Sequence, residues 1–177
     1  MQDTIIRLKG YARWAKLFEN DRDEYEGHFK DTGGRYQLDF YPESQEEIDK
    51  FLGTGIGNES MGNPRVREPG GALYGSGDSD LGIGAYIKLK RNHKGPWVDD
   101  NGVDKYGGPP KVYNHDSSDD PLAMWDPEEL GIIWNGSKVS VKLYIRPDGG
   151  RSTIRLEAVA VEEAAPEPVF EEDDGAF

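Results

Sequence analysis

Hydrophobic and polar side chains alternate along five stretches of the chain, and this period of two predicts five strands. Residues 4–18 place Ile6, Leu8, Gly10, Ala12 and Trp14 on one face and Arg7, Lys9, Tyr11 and Arg13 on the other. Residues 35–41 put Tyr36, Leu38 and Phe40 on an apolar side. Residues 82–91 set Ala85, Ile87 and Leu89 against Tyr86, Lys88 and Lys90. The clearest pair comes last. Residues 138–146 direct Val139, Val141, Leu143 and Ile145 one way and Lys138, Ser140, Lys142, Tyr144 and Arg146 the other. Residues 151–161 set Ile154, Leu156, Ala158 and Ala160 opposite Arg151, Thr153, Arg155 and Glu157. One helix interrupts the pattern. Ser44-Gln-Glu-Glu47 has the form of a capping box, Ile48, Phe51 and Leu52 follow at helical spacing, and Gly53 ends the element.

Between these elements the chain is rich in Gly, Pro, Asn and Ser, so residues 53–80 and 92–120 are expected to be long loops. Asp126-Pro-Glu-Glu-Leu130 supports no more than a helical turn, and Asn135-Gly136 signals a tight turn before the next strand. Five short strands, one short helix and long connections predict a mainly β fold. The expected form is a five-stranded barrel of the oligonucleotide/oligosaccharide-binding (OB) type, closed or partly open. The domain is expected to span residues 1–161. Residues 162–177 then form a disordered acidic tail, because Ala-Ala-Pro-Glu-Pro stops any strand and nothing beyond it can bury a core.

The polar faces of three strands share a composition. Tyr11 lies among Arg7, Lys9 and Arg13, Tyr86 among Lys88 and Lys90, and Tyr144 between Lys142 and Arg146. Such faces suit single-stranded nucleic acid, where each base stacked on an aromatic ring contributes about 1–3 kcal/mol and cations follow the phosphates. The same cations also suit the solvated outside of a barrel. Candidate contacts are Tyr11, Arg13, Tyr86, Lys88, Lys90, Arg91, Lys142, Tyr144 and Arg146, with the loop aromatics Trp97 and Tyr106. Tyr113 is a further loop aromatic, Trp14 and Phe40 are expected in the core, and Trp125 and Trp134 suit either place.

The chain of 177 residues carries a net charge of −13 and no cysteine, which excludes disulfides, thiolate metal sites and thiol nucleophiles. Residues 162–177 hold seven acids and no base, so the body keeps −6. Total charge therefore gives no support to nucleic-acid binding, and local patches must decide. Three scattered histidines lack metal-ligand spacing. Gly53-Thr-Gly-Ile-Gly57 follows a helix where a dinucleotide loop needs a strand, and the Asp-rich loops miss the EF-hand positions. No catalytic residue, metal or cofactor is expected. Without a basic and then apolar leader, an intracellular protein is expected.

In its order of segments the chain resembles the OB-fold single-stranded DNA-binding proteins of bacteriophage replication. The resemblance is carried by Gly10-Tyr-Ala-Arg-Trp-Ala-Lys16, then Gly34-Arg-Tyr-Gln-Leu-Asp39, then Asn135-Gly-Ser-Lys-Val-Ser-Val-Lys-Leu-Tyr144, and by a tail ending in acids and Phe177. It implies non-catalytic coating of single-stranded DNA in replication, recombination and repair, in the cytoplasm of an infected host cell. It also implies that Glu171, Glu172, Asp173, Asp174 and Phe177 recruit DNA polymerase and helicase or primase, and that the tail enters the DNA groove when DNA is absent. It leaves a homodimer open. This tail is short for covering a whole groove, and the acidic body implies modest affinity with steep salt dependence. Two other readings compete. In one, an OB-like interaction or virion module binds no DNA and uses the Phe177 tail. In the other, a carbohydrate-binding barrel uses Trp97 and Trp125 as sugar platforms.

Overall fold

The computed structural model describes residues 4–22, 34–54, 66–67, 81–94, 100–102, 107–148 and 151–168. The fold is mainly β. Its elements are β1 (Thr4–Lys16), β2 (Arg35–Pro42), α1 (Gln45–Leu52), β3 (Val66–Arg67), β4 (Tyr86–Asn92), β5 (Lys111–Asn114), α2 (Pro127–Leu130), β6 (Lys138–Asp148) and β7 (Arg151–Glu163). The five expected strands are β1, β2, β4, β6 and β7. The two short additions, β3 with two residues and β5 with four, lie inside connections expected to be loops, where the surrounding Gly and Pro hide so short a pairing.

All strands belong to one sheet in the order β3-β4-β2-β1-β6-β7-β5. Pairing is antiparallel except between β5 and β7, which run parallel. The long strand β1 is the hinge of this arrangement: Thr4 to Tyr11 pair with β6, and Gly10 to Lys16 pair with β2. Gly10 sits where both partners meet β1. A methyl group there would collide with the Tyr41 carbonyl and the Phe40 ring, so the strand can cross so closely only with glycine. The ends of the sheet approach one another through Arg91 on β4, whose Nη1 donates to the Leu156 carbonyl of β7 at 3.1 Å. The five long strands thus curl into a partly open barrel of OB type.

Its interior holds Leu8, Ala12, Leu38, Phe40, Ile87, Leu89, Val139, Val141, Leu143, Leu156, Val159 and Val161, with Phe51 of α1 packed against them. Each buried aliphatic or aromatic side chain contributes about 1.5–3 kcal/mol of hydrophobic stabilisation. Among the described residues no helix is long and apolar enough to cross a membrane.

Three sequence expectations change. Trp14 is not in the core: it is 57% exposed with φ +52°, at an irregularity between Arg13 and Lys16 where β1 carries one residue more than β2. The bulge flips the alternation, so Ala15 and Leu17 take the inner positions. A second slip, between Lys142 and Leu143 of β6, makes Glu157 the extra residue of β7. Beyond it Val159 and Val161 are buried and Ala160 is not. Finally, the Ser44 side chain makes no capping bond. Glu47 instead turns to β1, where its Oε2 accepts from the Lys9 backbone N–H at 3.1 Å. A buried carboxylate thus fastens α1 to β1, the strand that carries Arg7, Lys9, Arg13 and Lys16.

Candidate nucleic-acid interface

Alternation on β1, β2 and β4 sends one set of side chains into the core and the other outward, and the register decides which outward residues become neighbours. Tyr11 lies opposite Tyr41 on one side and Lys138 on the other. Tyr41 stacks on Tyr86, with ring centroids 5.3 Å apart and planes 25° from parallel. Tyr86 in turn pairs with Arg67, whose guanidinium carbon sits 5.7 Å from the ring centroid. One row therefore crosses five strands: Arg67, Tyr86, Tyr41, Tyr11, Lys138. The next row is charged, with Asp39 opposite both Arg13 and Lys88. A third row brings Gln37 between Lys16 and Lys90.

Tyr86 occupies the expected face, but its ring is only 5% exposed and Tyr41 only 1%. Covered in this way, the pair forms a floor and not an open platform, which corrects the expectation of an exposed Tyr86. Among the described residues the open ring on this side is Trp14, with the Arg13 guanidinium 4.9 Å from its centroid and its backbone N–H donating to Asn135 Oδ1 at 2.7 Å. The turn at Asn135 and Gly136, where Gly136 has φ +93° and donates to the Ala12 carbonyl, brings that side chain to β1.

The charges on this face perturb one another. Burial raises the Asp39 carboxyl above the usual carboxylate range, and Lys88, Arg67, Arg13 and Lys90 draw it back down. Lys90 has an exposed side chain whose ammonium is partly shut off from water. That burial, with Arg35, Lys88 and Arg67 nearby, lowers its pKa, against a weaker opposing pull from Asp39. Four cations from three strands, Arg13, Arg67, Lys88 and Lys90, thus act on a single carboxylate, and Arg35 from β2 adds its repulsion to Lys90. Arg35 adds a buried Nε with no hydrogen-bond partner among the described residues. On a body of charge −6 this is marked segregation of positive charge.

The remaining candidates divide. Arg91 points to the opposite side of β4 from Lys88 and Lys90. Its side chain is 9% exposed, and it donates to the carbonyls of Gly107, Gly108 and Leu156 with Glu157 3.9 Å away. Its bonds serve barrel closure, which corrects its grouping with the outward cations. Lys142, Tyr144 and Arg146 form a second stretch on β6, reached along β1: Lys142 lies opposite Arg7 and Tyr144 opposite Ile5. Arg155, ion-paired with Glu157, covers Tyr144 at 5.1 Å. The outward residues Arg7, Lys9, Tyr11 and Arg13 of β1 link the two stretches. Trp97, Tyr106 and the tail residues Glu171, Glu172, Asp173, Asp174 and Phe177 lie outside the described residues. Trp125 is core, 7% exposed with Nε1 donating to the Gly131 carbonyl at 2.8 Å, so it offers no sugar platform.

Sequence reasoning missed Tyr41, Arg67, Arg35 and the exposure of Trp14. A signal existed for the last alone, since Ala15 and Leu17 continue the apolar pattern one position out of phase.

No family model and no curated protein sequence matches the chain. The structure is similar to the single-stranded DNA-binding protein from bacteriophage Enc34, with 16% identity over 96% of this chain and 86% of that one and a TM-score of 0.47. A C-terminal truncation of the same phage protein gives 13% identity over 94% and 88% of the two chains, with a TM-score of 0.48. Likeness this distant leaves function to be argued from the chain's own residues.

Proposed function

We propose that the protein binds single-stranded DNA with little base preference, as a non-catalytic coat of the kind used in phage replication and recombination. The observation that carries this reading is the in-register face of β1, β2, β3 and β4, on which Arg13, Arg35, Arg67, Lys88 and Lys90 surround the tyrosine floor and the exposed Trp14. Crowded cations are unfavourable on a bare surface and favourable against a polyanion, whose phosphates relieve their repulsion and whose condensed counterions are released. Arg7 directly opposite Lys142 repeats the same unfavourable arrangement on the second stretch.

In this reading the backbone of the strand follows β1 from Lys142 and Arg146 past Arg7 and Lys9 to Arg13, Lys88 and Lys90. The aromatic contacts are Tyr11, Trp14 and Tyr144, while Tyr41 and Tyr86 hold the floor and position Arg67. The binding domain, expected to end at residue 161, takes in Glu162 and Glu163, which complete β7, and the acidic segment beyond them is an appendage. Glu171, Glu172, Asp173, Asp174 and Phe177 recruit replication proteins such as a polymerase or helicase, the acids steering towards basic surface and the ring filling a pocket. Titration of intrinsic tryptophan fluorescence with oligo-dT at low salt tests the central part. Quenching with a matching mobility shift is the expected result, and absence of both overturns the reading.

A further inference from the structure

Among the cations of the β1, β2 and β4 face stands one carboxylate, and its position is not incidental. Asp39 lies on β2, between its two neighbours in the sheet, directly across from Arg13 on β1 and from Lys88 on β4. Arg67 from β3 and Lys90 from β4 complete its charged surroundings. Every cation that the proposed function assigns to phosphate on this face, Arg35 apart, therefore already acts on Asp39.

Resting on the single-stranded DNA reading, we infer that Asp39 is a built-in competitor for phosphate: it offsets one charge of the cluster of Arg13, Arg67, Lys88 and Lys90 in the free protein and takes up a proton when a phosphate enters. The proton comes from solvent and no covalent bond changes. The carboxylate is half-buried between two strands, so it cannot swing away from an arriving anion as a loop residue could. Two anions sharing one set of cations in a partly desolvated place repel, and protonating the weaker acid relieves that repulsion. Burial has already moved the Asp39 carboxyl upwards, which makes the proton easier to acquire. The sign follows from linkage. If binding is coupled to proton uptake at Asp39, affinity rises as pH falls through the titration range of that carboxyl in the free and bound protein.

Such a residue sets affinity deliberately low at neutral pH. It competes with each phosphate for the cationic cluster and lets the strand dissociate readily. Asn at the same position would preserve size while removing the competing charge.

The test compares the full-length wild type with Asp39→Asn by oligo-dT titration at fixed salt between about pH 7.5 and about pH 5. The expected result at the upper end is binding about three- to ten-fold tighter for the variant, the effect of deleting one anion within several ångströms of a bound phosphate. The wild type should tighten towards the variant as pH falls, and the variant should lose that part of the pH dependence. Calorimetry of the wild type in two buffers of different ionisation enthalpy gives a second measure that needs no substitution, and net proton uptake on binding is expected. Wild type and variant that bind equally, with the same pH dependence and no proton uptake, overturn the role of Asp39 and leave DNA binding standing. Absence of binding by both proteins at every pH overturns the DNA reading, and the role of Asp39 falls with it.

Discussion

Tyr41 and Tyr86, one on β2 and one on β4, stack with centroids 5.3 Å apart on the outward side of the sheet, and both are buried. They share the side of the sheet that carries the cations, yet they behave energetically as core. Replacing Tyr86 by Ala is expected to cost about 3 kcal/mol of stability, as removal of a buried aromatic does. Tyr11, in the same row but only half-buried, is expected to behave differently. Tyr11→Ala should lower oligo-dT affinity about ten-fold while moving the urea midpoint little. Paired urea unfolding and DNA titration separate the two residues.

Trp14 combines an exposed ring with a left-handed backbone that costs a non-glycine residue about 1 kcal/mol or more. Trp14→Gly removes the ring and the strain together. Thermal unfolding should show unchanged or raised stability, and oligo-dT binding should weaken about ten-fold, the loss of one stacked base. A variant that loses stability instead would place the ring in the packing of the fold.

Arg91 is a closure residue. Arg91→Ala leaves the carbonyls of Gly107, Gly108 and Leu156 without its donors, and a loss of about 3 kcal/mol in chemical denaturation is expected. Because its guanidinium faces away from Lys88 and Lys90, the salt dependence of DNA binding should stay as in the wild type.

Asp39 and Lys90 also make opposite statements about pH and stability. The native state holds the Asp39 proton to higher pH than the unfolded chain does, whose carboxyl titrates near 3.8. Its contribution is therefore a loss of stability that sets in as pH rises from there through the raised value. Lys90 is lowered from 10.5, so its charged form disfavours the fold at neutral pH and is relieved as pH rises through the lowered value. Both Asp39→Asn and Lys90→Gln should then unfold at higher denaturant near neutrality than the wild type. In DNA binding they should part, with Asp39→Asn tighter and Lys90→Gln weaker.

Much of the barrel could be read from period-two alternation, because Leu38 and Phe40, or Val139 to Ile145, need only their own strand to reveal an inner face. What stayed hidden depends on partners distant in sequence. The bulges at Trp14 and Glu157 shift the alternation by one residue, and a shift shows only if the pattern is followed past it. β3 and β5 are too short to carry a pattern and exist by pairing with β4 and β7. The cationic faces of β1, β4 and β6 were visible strand by strand. That Asp39 lies between Arg13 and Lys88, that Tyr41 joins Tyr11 and Tyr86, and that Arg67 covers Tyr86 are facts of register, which no single strand contains. Arg91 looked like its neighbours Lys88 and Lys90 by composition, and strand parity turns it the other way.

The most direct test is the salt dependence of oligo-dT binding for the wild type and for Arg13→Ala/Lys88→Ala, both cations being partners of Asp39 across the register. Log K should fall linearly with log salt for the wild type, and the double variant should bind more weakly with a slope shallower by about 1.4, roughly 0.7 for each phosphate no longer neutralised. An unchanged slope, or no binding by the wild type at low salt, would contradict the assignment of this face to DNA.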